Sequence, residues 1–274
     1  YGSSALLRRW ENNCGRNVLD FELNQEQRAL EETARRFAEV ELPGVANLIE
    51  KNDEPVGPEI VRRFAEMGFL GINLPEAYGG AGAKHLDAVL VLEELAKISI
   101  AVAFPVFESC FGPALAIAHF APEELRHRVL PKVCSGNMMI AVSMSEPNAG
   151  SALTDLTTTA RIETDTVIVN GQKRWCSGAG HADAYVVYCR ISDQPGARGI
   201  GAVLIEKGRT GFSFGKPEQH MGFRGIPSAD MFFDDVEVPI ENVVAAAGGF
   251  RQLMEAFDLE RCGNTTMSLA CAQS

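Results

Sequence analysis

The hydrophobic period changes twice along this chain, and few folds accommodate both changes. From about residue 20 to 136 apolar residues recur every three or four positions. Leu30, Ala34, Phe37 and Val40, for example, share one helix face. From about 138 to 240 the period falls to two, in Val167-Ile168-Val169, Ala184 to Tyr188, Gly201 to Ile205, and Met231-Phe232-Phe233 with Val236 and Val238. After Gly249 helical spacing returns through Phe250, Leu253, Phe257 and Leu259, then Met267, Leu269 and Ala270. Helices, then short strands, then a helix predict an α+β multidomain chain. The expected parts are a tail over 1–19, an all-α N-terminal domain over 20–137, a middle β-barrel or sandwich over 138–243, and a further helix over 244–274. That last helix stops at Ser274 without a C-cap signal, so more chain is expected to belong here.

Local signals set the element boundaries. Asn24 with Gln27 forms a capping-box pattern that starts the first helix, and Pro43-Gly44 is expected to end it. Pro58 suits the first turn of a second helix, which Gly68 closes. A loop of turn formers follows from Leu74 to Gly82. A third helix carries Leu86, Val89, Leu90, Leu92 and Leu95. A fourth, from roughly Val102 to His119, is apolar nearly all round, as a buried or cavity-lining helix is. A fifth begins at Pro122, with Glu123 and Glu124 in its first turn, where the helix dipole favours them. In the β-region Glu163-Thr164-Asp165 and Asn170-Gly171 supply turns, and a strand is expected over 142–151.

Charge and cysteine usage exclude several function classes. A net charge of −11 leaves no basic surface for nucleic acid. No apolar run approaches the ~18 residues of a membrane span. The seven cysteines are scattered, with no C-x-x-C and no Cys/His pair at zinc spacing, so no metal site is expected. They read as free thiols of a reducing compartment, the cytoplasm or a mitochondrial matrix. No secretory signal is visible, and residue 1 is Tyr. Gly79-Gly80-Ala81-Gly82 is not a phosphate loop, since it lacks both the preceding strand and the following Lys-Ser/Thr.

Five strings in order sharpen the reading. Leu74-Pro75-Glu76-Ala77-Tyr78-Gly79-Gly80-Ala81-Gly82, with Asp87 and Glu93-Glu94-Leu95-Ala96 after it, resembles the first-domain signature of the acyl-CoA dehydrogenase family. Met144-Ser145-Glu146-Pro147-Asn148-Ala149-Gly150-Ser151 resembles that family's flavin-side signature. Asn170-Gly171-Gln172-Lys173-Arg174-Trp175 resembles the strand whose Trp covers the flavin. Met221-Gly222-Phe223-Arg224 and Phe233 to Pro239 fit the end of the β-domain, and Asp258-Leu259-Glu260-Arg261 fits the first helix of a last domain. The resemblance runs from about Asp20 to Ser274. It implies that residues 244–274 begin a C-terminal four-helix bundle. It also implies FAD as cofactor, an acyl-CoA as substrate, an electron-transferring flavoprotein as acceptor, and a homotetramer or hetero-oligomer. The sequence departs from the family at Ala152, where Asp is common, and at Cys176, where a branched apolar residue is.

The reaction so implied removes a proton from Cα and a hydride from Cβ of an acyl thioester. By resemblance, the main chain around Val142, Met144 and Ser145 with the Ser145 hydroxyl, the close backbone approach at Gly150, and Ser151 serve the flavin. Ser151 can also meet a pantetheine. Trp175, Cys176 and Ser177 would lie beside the flavin ring. Read without the family, 142–151 is a Pro/Gly turn and Trp175 a core residue. Glu260 matches the base of a minority form, similar to isovaleryl-CoA dehydrogenase, in which the catalytic Glu sits on this helix. An apolar pocket would raise its pKa, whereas a solvated pair with Arg261 would make it an ordinary surface residue. Asp258 and Arg261, three apart, share a face and are either pantetheine contacts or a plain ion pair. Phe104, Glu108, Phe111 and Gly112 on the fourth helix are candidates for the acyl pocket. Gly112 would leave room for a short, branched or substituted acyl group, and Glu108 is alternatively satisfied by hydrogen bonds inside the core. Three rivals to the dehydrogenase remain: a carrier-protein-linked dehydrogenase, a flavin monooxygenase of the same superfamily, and a non-catalytic partner subunit. Residues 1–274 alone are expected to hold FAD poorly, because much of the family's flavin contact lies in the last domain and a neighbouring subunit.

Overall fold

The computed structural model describes residues 22–274, so the tail expected over 1–19 lies outside the described residues. Helix α1, Gln25–Asn52, starts at the predicted capping box. The Asn24 side chain accepts from Gln27 N at 2.8 Å, and the Gln27 side chain accepts from Asn24 N at 3.1 Å. Pro43-Gly44 does not end it. The helix runs on to a left-handed Asp53, because Ala34, Phe37, Ala38, Leu42 and Ile49 form one buried stripe on both sides of the proline. Packing of that stripe outweighs the ~3 kcal/mol an interior proline costs. Gly44 is exposed and a Cβ there would meet nothing within 4 Å. Gly44→Ala should therefore stabilise the protein by about 0.5–1 kcal/mol, read as a rise in the urea midpoint.

Helix α2, Pro58–Glu66, has Pro58 in its first turn and a left-handed Gly68 after its end. Helix α3 spans His85–Ile98. The single apolar helix expected over 102–119 is two helices, α4 (Ile100–Cys110) and α5 (Pro113–Phe120). Pro113 has no N–H to continue α4 and pushes Gly112 out of helical geometry. The freed Cys110 carbonyl accepts a 2.8 Å bond from Asn73 Nδ2. Taken as a whole, Ile100–Phe120 does reach the length and apolarity of a membrane span, which the sequence reading denied, but 94% of its apolar 18-residue window is buried inside the fold. Helix α6, Glu123–Cys134, follows Pro122 as expected.

The β-region is one eight-stranded sheet: β1 (Ile140–Ser143), β2 (Thr159–Ile162), β3 (Thr166–Ser177), β4 (Ala184–Arg190), β5 (Ile200–Glu206), β6 (Phe212–Phe214), β7 (Ser228–Pro239) and β8 (Val243–Ala245). The order is β6-β7-β3-β2-β4-β5-β8, with β1 parallel to β4. The strand expected over 142–151 is only the four residues of β1. Residues 144–158 form a turn-rich excursion between β1 and β2. Asn170-Gly171 is not a turn either. It lies within β3 at a register shift opposite β7, where the Asn170 and Asp235 side chains tie the strands together. Because β8 pairs with β5, the break expected at 243/244 falls inside a strand.

Apolar layers cover both faces of the sheet, and one of them fixes it against the helices. Ile140, Ala184, Val186, Tyr188 and Leu204 pack with residues of α5, α6 and the last helix, α7 (Phe250–Gln273). Ala141, Val167, Val169, Tyr185 and Val203 make a second core on the other face. Helix α7 folds back onto α3 and α4. At Gly263 a Cβ would stand 2.9 Å from the rings of Phe107 and Phe111, so only glycine permits this approach. That contact sets the turns of α7 on either side of it opposite the ends of β1 and β3.

Candidate active site

Three walls meet around an open cleft of about 280 Å³. From α4 come Phe104, Phe107 and Glu108, spaced three and four apart on one helix face. From α7 come Phe257, Glu260 and Asn264, with the same spacing. The sheet contributes Val142 of β1, Met144 and Ser145 just after it, then Arg174 to Ser177 of β3, and Phe223 from the loop before β7 closes one side. Of the residues singled out in the sequence, the cleft gathers Phe104, Glu108, Val142, Met144, Ser145, Trp175, Cys176, Ser177 and Glu260.

The others stand outside it. Gly150 and Ser151 are exposed on the excursion. Asp258 and Arg261 are exposed and pair with each other at 3.0 Å, the Arg261 guanidinium lying over the Phe257 ring. Phe111 is buried with its ring against Gly263, and the room expected beside Gly112 is taken, since a Cβ there would stand 2.5 Å from Glu108 Oε2.

The sheet wall is held by a buried ion pair that the sequence reading did not single out. Lys173 is fully buried, and its Nζ donates to Glu146 Oε1 at 2.9 Å and to the Met144 carbonyl at 2.8 Å. Glu146 also accepts from Thr157 N, Thr157 Oγ and Thr158 N at 2.7 to 2.9 Å. Burial pushes the Glu146 carboxyl up, but the Lys173 charge and these bonds prevail and hold it at about 2. Ser145 is locked separately, its carbonyl accepting from Arg174 N at 2.9 Å.

Trp175 follows directly in a register shift of β3 against β7 and has φ 55. Such a backbone is uncommon for any residue but glycine, and for a bulky side chain it marks a position the surroundings enforce. The outcome is an indole left 60% exposed to the cleft, not a core Trp, with the Arg174 guanidinium 4.9 Å from its ring centre. The Cys176 thiol is buried, donates to the Val142 carbonyl at 3.2 Å, and is pushed up by burial to about 12, so it is no nucleophile.

Facing this wall, Glu260 is half-buried. Burial, only partly offset by the Arg261 charge, pushes its carboxyl up to about 7. Asn264 donates to the Glu260 backbone carbonyl and not to the carboxylate, which has no hydrogen-bond partner among the described residues. An unpaired carboxylate near neutrality in an apolar setting is suited to take a proton. The opposite wall suits a flat polar ring: an exposed indole beside the Ser145 and Ser177 hydroxyls, neither of which is spent on an internal hydrogen bond among the described residues. These residues fit FAD.

Phe107, Arg174, Phe223, Phe257 and Asn264 line the cleft without having been singled out. Phe257 and Asn264 were recoverable, since they lie three before and four after Glu260 on one helix face.

Known proteins fit this arrangement. Residues 24–137 match the family described as Acyl-CoA dehydrogenase, N-terminal domain, and residues 141–236 match its middle domain. The chain is 36% identical to acryloyl-CoA reductase (NADH) of Anaerotignum propionicum over 93% of its own length and 65% of that protein's. It is 35% identical to the mitochondrial isobutyryl-CoA dehydrogenase of Bos taurus, over 92% of its own length and 60% of that protein's. Among solved structures, butyryl-CoA dehydrogenase from Megasphaera elsdenii superposes with a TM-score of 0.85 at 30% identity, covering 93% of this chain and 68% of that one. The chain thus spans less than two thirds of the length of these two curated relatives.

Proposed function

The chain belongs to the acyl-CoA dehydrogenase family, and on that footing we propose that it carries the catalytic cleft of a flavin-dependent enzyme that interconverts a saturated acyl-CoA and its α,β-unsaturated counterpart. The observation that carries this reading is one carboxyl, Glu260, pushed up to about 7, facing the Met144–Ser145 and Trp175–Ser177 wall across a single cleft. Bound FAD supplies the hydride acceptor. Glu260 takes the Cα proton, and the apolar Phe104, Phe107 and Phe257 side chains around it keep its carboxylate poorly solvated and basic. Trp175, Ser145 and Ser177 position the ring, while Asp258 and Arg261 pair beyond Phe257, where a pantetheine arm would leave the cleft. Gly150 and Ser151 serve the phosphate-bearing parts of the ligands. The substrate is a short, branched or substituted acyl-CoA, the electron acceptor an electron-transferring flavoprotein, the assembly an oligomer, and the setting the cytoplasm or a mitochondrial matrix.

A second reading is favoured by the name of a relative, an acryloyl-CoA reductase. A carboxyl near pH 7 is about half protonated at neutrality, so Glu260 can return a proton to Cα as readily as remove one, and the same cleft serves reduction. The test uses the complete protein loaded with FAD. A panel of acyl-CoAs is assayed with ferrocenium as oxidant, and the matching enoyl-CoAs with reduced flavin. Turnover in either direction is expected. A fully loaded protein whose flavin no acyl-CoA bleaches and no enoyl-CoA reoxidises would overturn the reading.

A further inference from the structure

Glu108 was expected either to meet the acyl group or to satisfy itself by hydrogen bonds inside the core, and the structure shows no such internal bonds. The side chain is 5% exposed, and Oε2 has no hydrogen-bond partner among the described residues. No cation pairs with it among the described residues. Buried polar atoms in natural proteins are nearly all satisfied, so an orphan that lines a cleft points to a partner that arrives from outside. Burial first, then the facing Glu260 charge, push the carboxyl well above the usual carboxylate range. Burial without a cation favours the protonated form, and in that form the carboxyl has an O–H to give. Its neighbours on the α4 wall, Phe104 and Phe107, offer no acceptor. Glu108 is also the residue shared by the cleft and a second pocket of about 180 Å³ under α4, so the carboxyl stands at the inner limit of the cleft.

We propose that Glu108 is a specificity-determining residue whose buried, internally unpartnered carboxyl donates a hydrogen bond to an uncharged oxygen, a carbonyl or hydroxyl, carried by the acyl group beyond Cβ. The preferred substrate is then an oxygen-bearing acyl-CoA and not a plain hydrocarbon one. This rests on the acyl-CoA reading above. A plain hydrocarbon tail would bury the orphaned oxygen for good, whereas an oxygenated tail completes it.

The experiment uses the complete FAD-loaded protein and pairs of acyl-CoAs of equal length that differ by one methylene replaced with a carbonyl at Cγ, Cδ or Cε. In the wild type, kcat/KM should favour the oxygenated member of at least one pair about tenfold or more. Glu108→Gln keeps a donor and should keep a preference of the same sign. Glu108→Leu should abolish or invert it, chiefly through KM. If Glu108→Leu does not fold, the wild type's affinities for the corresponding enoyl-CoAs, read from the flavin spectrum, carry the comparison. Equal turnover or equal affinity within every pair overturns the proposal, as does a Leu variant that keeps the preference. A water from the second cavity satisfying Glu108 would give the first of these outcomes. Failure of every acyl-CoA to bleach the flavin would remove the acyl-CoA reading as well, so the two failures are distinct.

Discussion

Replacing Glu260 by glutamine in the complete, FAD-loaded protein should slow substrate-driven bleaching of the flavin about 10²–10⁴-fold while the flavin stays bound. The amide keeps the shape of the side chain and loses only its capacity to take a proton. The control lies on the same helix: Glu255 is exposed and paired with Arg251 at 3.2 Å, and Glu255→Gln should leave the rate alone. Stopped-flow absorbance on both variants decides the matter. If Glu260→Gln keeps most of the rate, the base lies elsewhere. The pH dependence follows from the same carboxyl. With its pKa pushed up to about 7, the bleaching rate should rise about tenfold per pH unit below 7 and level off above it. The titratable and charged groups around it are Arg261 on its own helix, Tyr188 on β4 and Glu108 on α4, whose carboxyl burial and the facing Glu260 charge push well above the usual carboxylate range.

A raised carboxyl also has a cost in stability. The folded protein holds the Glu260 proton up to about pH 7, while the unfolded chain releases it near the ordinary value of 4.5. The group's favourable contribution is present below the unfolded pKa and is lost as pH rises through the folded one. Glu260→Gln should therefore raise Tm relative to the wild type more at pH 8 than at pH 4. The free-energy difference is on the order of 2 kcal/mol after allowance for the partial exposure of the site. A variant that is slower yet more stable is what a functional carboxyl predicts, and a surface pair with Arg261 would produce neither effect.

The two changes of hydrophobic period made the helix–sheet–helix order legible, because burial on one face acts on every residue of a long element. Boundaries were read less well wherever a local signal met a stronger distant one. Pro43-Gly44 is a helix stop in isolation, but Leu42 and Ile49 are buried on either side of it, and Ile49 packs so closely under Gly225 that a Cβ there would lie 2.1 Å from Ile49 Cγ2. Asn170-Gly171 is a turn in isolation, yet β7, some sixty residues away, pairs across it. The break at Phe111-Gly112-Pro113 was hidden because an all-apolar segment has no period to interrupt. Within the cleft, Glu260 was found through the Asp-Leu-Glu-Arg string, since its chemistry is carried by one residue in a recognisable setting. Lys173 was not, because a lysine in an alternating strand reads as a surface residue. Only the fold shows that its charge is buried against Glu146, 27 residues earlier.

That hidden pair has the second large effect. Lys173→Met should destabilise the protein by about 3–5 kcal/mol and release the flavin on gel filtration. Removing the ammonium strands the Glu146 carboxylate in a site with 3% side-chain exposure, and removes the bond to the Met144 carbonyl that sets the end of β1. Residues 144 and 145 and the Trp175 bulge then lose the frame that aims them into the cleft. Glu146→Gln should do less harm alone, because an amide still accepts from Thr157 or Thr158. The double variant Lys173→Met/Glu146→Gln should recover part of the loss, since no charge is then left unpaired. Acid supplies an independent check. Glu146 is held at about 2 against an ordinary 4.5, so its contribution is present above 4.5 and is lost as pH falls toward 2. Without Lys173 the same carboxyl takes up its proton at higher pH, and protonation relieves the stranded charge. The stability gap between wild type and Lys173→Met should therefore narrow as pH is lowered from 7 to 4. A gap that stays constant over that range would mean that lost packing, and not the buried charge, carries the effect.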